Sequence, residues 1–287
     1  RSKEYEIYDF IKDECQAIQS MLPESREGED LYRATRYAAY ALECRAMLYA
    51  ASEAKYGNVD LNGLIGIPAE KAEGYWKAAK AAAEKIINSG KYALYTAKTD
   101  KAENFQYLFL DESEANKEQI FTKAFDTSNK GGTFDYFNAP QSFKLDYGCV
   151  TNPTADFVAE FEYKDGSDGA LKVNDASGNP IKYADPTDLF KDKDPRMLGS
   201  ILYPFSPWQG DRVEVRKGII KPDGTIVTAS SLSDKYEGTN TTIAAKDGTL
   251  TSTDVTKTGF YIKKFMTPNK VVDYEKGETN WMVFRYA

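Results

Sequence analysis

From Tyr5 to Leu22, apolar residues return at Ile7, Tyr8, Ile11, Cys15, Ile18 and Leu22, while Glu6, Asp9, Lys12 and Asp13 fall on other faces. That is the helical period of about 3.6 residues, and it predicts an amphipathic helix stopped by Pro23. A second helical pattern runs from about Leu31 to Tyr56. Ala34, Ala38, Ala41, Ala46 and Ala50 interleave there with Leu42, Met47 and Leu48, and Gly57-Asn58 ends it. After a loop holding Gly63, Gly66 and Pro68, a third helix is expected from about Ala69 to Ser89, closed by Gly90 as a left-handed cap. Its apolar positions are again small: Ala78, Ala79, Ala81, Ala82 and Ala83, then Ile86 and Ile87. Small residues let neighbouring helices approach closely. Two consecutive Ala-rich helices, the second opened by Tyr75-Trp76, fit a hairpin of the tetratricopeptide type, and the same spacing serves any well-packed helical hairpin.

Beyond about Lys117 the pattern changes. Gly, Asp, Thr, Ser and Asn dominate, and apolar runs shorten to strand length in Ile120-Phe121, Gly199–Tyr203 and Arg212–Ile220. Pro222-Asp-Gly224 reads as a hairpin turn, and Gly238 to Gly259 as exposed loop. Loops of this length inside a compact domain usually bind something. The expected fold is mainly α, with tetratricopeptide-like helical hairpins over residues 1–116 supporting a loop-rich, ligand-binding region with short strands over residues 117–287.

Composition narrows the chemistry. A length of 287 residues suggests about two domains or one large one. No stretch approaches the ~18 consecutive apolar residues of a membrane helix. With 44 acidic and 37 basic side chains the formal charge is -7, so there is no basic footprint for nucleic acid. The chain has no histidine, which excludes imidazole-activated nucleophiles and imidazole metal sites within these residues. Cys15, Cys44 and Cys149 form no C-x-x-C pair, so neither a zinc ribbon nor a redox motif is encoded. Cys15 and Cys44 read as small core hydrophobes, and the odd count leaves room for one disulfide at most. Asp165-Gly-Ser-Asp168-Gly, Asn174-Asp175 and Asp192-Lys-Asp194 place carboxylates in turns without the calcium-loop pattern. Asp111-Glu112 and Glu160/Glu162 are pairs of the kind a glycosidase needs, but among 44 acids they carry little information. Asn240-Thr-Thr242 is a formal glycosylation sequon of meaning only in a eukaryotic secretory protein. No catalytic residue, metal ligand or cofactor is expected.

Tyrosine is abundant, 20 residues against 15 phenylalanines, and its flat face plus hydroxyl suits both sugars and peptides. Two clusters lie in loop-like sequence: Phe134-Asp-Tyr136-Phe137-Asn138 with Gln141, Phe143 and Tyr147, and Tyr203-Pro-Phe205-Ser-Pro-Trp208-Gln209. Packing beneath a loop and ligand contact both remain open for each.

Six stretches in order then carry a resemblance. They are Tyr5–Ile11 leading to Leu22-Pro23; Ala34–Ala39 continuing to Arg45–Tyr49; Tyr75–Ala79 running to Ile86–Tyr92; Asn152-Pro-Thr154 before Phe157–Phe161; Lys193-Asp-Pro-Arg196; and Trp281 with Phe284–Ala287. Together they resemble the SusD/RagB family of Bacteroidetes surface lipoproteins. The resemblance implies a SusD-like fold and no enzymatic activity. It implies a protein that caps a SusC-like TonB-dependent transporter of the outer membrane and captures an oligosaccharide for it, or peptides in RagB-like members. It also implies a signal peptide and acylated cysteine upstream of Arg1, a lipid anchor that none of the three cysteines supplies, and a helix continuing beyond Ala287. The opening without Met and the apolar ending at Trp281–Ala287 suggest the middle of something longer. Ligand aromatics of that family are usual in the place occupied by Phe134–Tyr147. The expected ligand-binding residues are therefore Tyr136, Phe137, Gln141 and Tyr147, with Trp208 second. The competing readings are a peptide or protein-interaction scaffold on the concave face of the hairpins, and an endo-acting glycosidase.

Overall fold

The computed structural model describes residues 2–250 and 254–287. In chain order its helices are α1 (Glu4–Ile18), α2 (Arg36–Tyr56), α3 (Ala72–Ile87), α4 (Lys101–Tyr107), α5 (Phe134–Asn138), α6 (Ala155–Ala159) and α7 (Pro195–Ser200). Its strands are β1 (Gln119–Lys123), β2 (Ile201–Leu202), β3 (Pro207–Trp208), β4 (Asp211–Arg212), β5 (Gly218–Ile220), β6 (Ile226–Thr228), β7 (Tyr261–Ile262) and β8 (Trp281–Arg285). The strands pair two by two as antiparallel ribbons: β1 with β8, β2 with β7, β3 with β4 and β5 with β6. The chain is thus mainly helical with short strands, and it divides into two compact units, each discontinuous in sequence.

The first unit holds the residues up to Tyr95, Glu112–Ala124 and Trp281–Ala287. Both α1 and α3 pack on α2, which is why α2 has no single apolar stripe and instead buries Ala38, Ala41, Ala46, Met47, Ala50, Ala51 and Ala54 around its girth. Methyl side chains at these positions are what the close crossing with Tyr75 and Ala79 of α3 allows. Ala50 and Ala51 are fully buried, so Ala50→Leu forces extra methylenes into a filled crossing. It should destabilise the chain by about 1–3 kcal/mol, read as a fall in the urea midpoint. The buried Glu43 carboxylate is met by the side-chain amides of Gln16 and Gln19, each at 2.6 Å.

The expected helix starts shift in this unit. The second helix begins at Arg36 rather than Leu31, because Gly28–Asp30 forms a separate turn and the Arg36 N–H donates to the Pro23 carbonyl at 3.0 Å. Its guanidinium also donates to the Leu22 carbonyl. Ile120-Phe121 does form strand, in β1, and its partner is the C-terminal run, with Thr122 opposite Met282. Glu118 at the end of this ribbon is buried and accepts from the Tyr95 N–H at 2.7 Å and Arg285 Nη1 at 2.8 Å.

The second unit holds Thr96–Asp111 and Phe125–Asn280. The expected strand at Gly199–Tyr203 is displaced by α7. Asp194 caps that helix through the Arg196 N–H, Pro195 supplies its preset first position, and only Ile201-Leu202 remains extended. Gly199 sits where a Cβ would come within 2.7 Å of the Ala102 carbonyl, so α7 and α4 can touch only through glycine. Neighbouring Lys193 is fully buried, with its ammonium donating to the Phe161 and Gly169 carbonyls, and burial pulls its pKa down. The hairpin at Pro222-Asp-Gly224 forms as expected between β5 and β6, with Gly224 at φ +85°. The tract Gly238–Gly259 departs from expectation. Residues 251–253 lie outside the described residues, and in the remainder Ile243, Ala244, Ala245, Asp247 and Val255 are buried. Asp247 holds it down by accepting the backbone N–H groups of Ser142 and Glu214.

Candidate functional site

Helix α5 carries the first of the expected site residues. Phe134 turns into the core against Phe265, while Tyr136 and Phe137 stand edge to face at 5.2 Å. Two segments close on this helix. The first is Tyr147–Val150, whose Cys149 and Val150 N–H groups donate to the Ala139 and Phe137 carbonyls. It can lie this close because Gly148 has no Cβ, which would sit 2.3 Å from the Ala139 oxygen, and because Cys149 adopts φ +61°. Burial raises the Cys149 thiol to about 11, so it is an inert packing group rather than a nucleophile.

The second segment is the turn Asp273–Gly277. Gly132 and Gly277 exchange a pair of backbone hydrogen bonds at 2.7 and 3.0 Å, and a Cβ on Gly131 would fall 2.0 Å from the Glu275 carbonyl. A Cβ on Gly277 would likewise fall 2.8 Å from the Gly132 carbonyl, so the approach between the two backbones needs glycine at 131 and 277. The run leading into this turn is tied down further along. Buried Asp135 accepts from the Thr267 N–H at 2.6 Å, and the Gln209 amide donates to the Thr267 and Lys270 carbonyls.

These constraints assemble four rings. Tyr136 lies 6.0 Å from Tyr147 and 5.4 Å from Tyr274, and Phe137 lies 6.4 and 6.1 Å from the same two. Tyr136 is buried at 6% exposure, whereas Tyr147 and Tyr274 remain 59% and 50% exposed. Tyr136 and half-buried Phe137 thus form an underlayer, and the other two rings an open layer beside it. Burial, and then the carboxylates of Asp146 and Asp273, push the Tyr136 phenol above its ordinary pKa, so it stays protonated at neutral pH.

Three of the expected residues, Tyr136, Phe137 and Tyr147, are therefore brought together. Gln141 lies in the following turn, Gln141–Phe143, half-buried, and its Oε1 has no hydrogen-bond partner among the described residues. Trp208 does not join the rings. It is 3% exposed and packs against Leu202, Val213, Tyr261 and Met266, so its faces are used by the core, and it borders a separate cavity of about 410 Å³ with Tyr203 and Lys263. Tyr274 is a fourth ring that the sequence pattern does not single out. The sequence signal that points to it is a tyrosine inside a turn-rich run, Asp273-Tyr-Glu-Lys-Gly277, whose glycine is needed for the close approach.

Such an arrangement offers flat apolar faces edged by hydroxyls, which hold a ligand by contact. Among the described residues no group of three or more Cys, Asp or Glu side chains converges as a metal site, and no helix is long and apolar enough to cross a membrane. The carboxylates of Asp165, Asp168 and Asp175 are taken up by N–H groups two residues onward in their own turns.

Asp135 makes the run from Thr267 into the turn Asp273–Gly277 sensitive to pH. Burial raises its carboxyl above the usual range, partly offset by the Thr267 hydrogen bonds. A carboxyl whose folded pKa exceeds its unfolded one stabilises the fold most at low pH, and that contribution is lost as pH rises from the unfolded value to the folded one. Asp135→Asn keeps an acceptor for Thr267 and removes the titration. In urea unfolding at successive pH, the variant should gain on the parent as pH rises from the ordinary carboxylate range towards neutrality, and a constant difference would refute this role.

The sequence profile of the SusD family matches residues 117–287. Among solved structures, the chain is similar to a SusD-like protein from Bacteroides fragilis, with a TM-score of 0.60 and 21% identity over 100% of this chain and 47% of that one. It is also similar to a SusD-like carbohydrate binding protein from the same species, with a TM-score of 0.64 and 22% identity over 99% of this chain and 44% of that one. At these identities the likeness shows a shared fold, and the chain spans less than half the length of either. No curated protein matches the sequence.

Proposed function

The chain belongs to the SusD family, and on that premise we propose that it binds oligosaccharides without altering them, as part of a cell-surface protein that hands them to a TonB-dependent transporter of the outer membrane. The observation that carries the binding reading is the four-ring cluster, in which Tyr147 and Tyr274 stand half open over a packed aromatic underlayer. Rigid rings lose little conformational entropy when they bind, and contacts of this kind supply an affinity that is easily reversed. Dissociation constants of roughly 10 µM to 1 mM suit a protein that must release its ligand. One similar structure is described as carbohydrate binding. The surface location and the transporter partner are supported by family membership alone.

Calorimetric titration with maltohexaose, cellohexaose, mannohexaose and galactohexaose tests the reading, with mass analysis of the recovered sugar. Heat of binding with at least one of them and intact sugar afterwards are expected. Shortened products would favour the glycosidase reading, and binding of peptides without any sugar would favour the peptide reading.

A further inference from the structure

Resting on the oligosaccharide reading, we propose that the ring platform selects uncharged sugars and rejects uronates and sulfated glycans, because each of its two open rings has a carboxylate as its chain neighbour. Asp146 directly precedes Tyr147 and Asp273 directly precedes Tyr274, and both acids are exposed. The Asp273 carboxylate is held against the Tyr274 backbone, since its Oδ1 accepts the Tyr274 N–H at 2.6 Å. The fields of both reach the underlayer: each adds to the upward push on the Tyr136 phenol.

The cations nearby do not cancel this field. The Lys144 ammonium is spent on Asp254, at 2.8 Å, and on the Asp146 carbonyl. Lys270 pairs with Glu278 at 3.1 Å. Within the turn Asp273–Gly277, the acids Asp273 and Glu275 outnumber Lys276, so the turn is negative and Asp146 adds a further charge. An anionic sugar laid on the rings would meet the like charge of Asp146 and Asp273, while a neutral one meets only ring faces and hydroxyls. Such selection works by repulsion rather than by a better fit to the chosen ligand.

The test uses the whole chain and matched pairs: each neutral hexaose of the panel above beside its uronate form, made by oxidising the primary alcohols. Every pair is titrated at about 20 mM and at about 500 mM salt, with the parent chain and with the double variant Asp146→Asn/Asp273→Asn. Asparagine at 273 retains the acceptor for the Tyr274 N–H. At the lower salt the parent should bind the uronate at least about tenfold more weakly than its neutral partner, and the gap should narrow at the higher salt, where screening acts within about 5 Å. In the double variant the ratio of uronate to neutral affinity at low salt should rise about fivefold. Uronate bound as tightly as its neutral partner at low salt, or a ratio unmoved by the two asparagines, would overturn the proposal while leaving oligosaccharide binding intact. A chain that takes up none of the neutral sugars would defeat the oligosaccharide reading itself, and this inference with it.

Discussion

Tyr147→Ala and Tyr274→Ala are each expected to weaken oligosaccharide binding by about tenfold, and the pair together to abolish detectable heat. Both rings are about half exposed, so neither contributes much to the fold, and the underlayer of Tyr136 and Phe137 survives their removal. Truncating a central aromatic side chain of a binding surface costs on the order of 2 kcal/mol, and about 1.4 kcal/mol already corresponds to a tenfold change. The two rings pack against the same underlayer, so their effects should not be strictly additive. The unfolding midpoints of both variants should stay close to the parent's. Tyr136→Ala provides the contrast: its ring is buried, and deleting it should destabilise the chain by about 3–5 kcal/mol. Exposed-ring variants that bind sugar as the parent does would remove the platform from the explanation.

Gly131→Val should produce the second large effect. A Cβ at this position would stand 2.0 Å from the Glu275 carbonyl oxygen, with backbone rather than a pliable side chain on the other side. The turn Asp273–Gly277 must then retreat, and the paired hydrogen bonds of Gly132 and Gly277 lengthen or break. Disrupting these bonds and the packing around them should cost about 2–4 kcal/mol. Tyr274 would leave the cluster as well, so sugar binding should fall as far as in Tyr274→Ala. Hydrogen exchange at the Gly132 and Gly277 amides should accelerate relative to the rest of the second unit. Gly74→Ala is the control, because that glycine lies in α3 with nothing near its missing Cβ, and the change should stabilise the chain by about 0.5–1 kcal/mol. Fast exchange in the control, or none in Gly131→Val, would show that the close approach is not what holds the turn.

Much of the fold is legible in the sequence where the cause is local. Helices α1 and α3 follow from periodicity and their stops, α2 from its many alanines and its stop at Gly57, and the β5–β6 turn from Pro222-Asp-Gly224. Tyr136, Phe137 and Tyr147 are readable as a group because eleven positions of chain separate the outermost two, and the short segment between them folds back on α5. The misses have long-range causes. Tyr274 arrives from 138 positions beyond Tyr136, through an approach whose only local trace is glycine. Trp208 sits among residues as polar as those around Tyr136, yet Val213, Tyr261 and Met266 close over it, and no local pattern encodes that burial. The same holds for Asp247, which looks like a loop acid and in fact anchors two other segments by their N–H groups. The texture change near residue 117 is real in the sequence, whereas β1 and β8 pair across 157 intervening residues between Lys123 and Trp281.

Ring resonances of isotope-labelled tyrosines and tryptophans, followed while a bound hexaose is titrated in, test the central claim most directly. Shifts at Tyr147 and Tyr274, smaller ones at Tyr136 and none at Trp208 are the expected result. Shifts confined to Trp208 or to the aromatic residues of α2 and α3, with Tyr147 and Tyr274 unmoved, would contradict it.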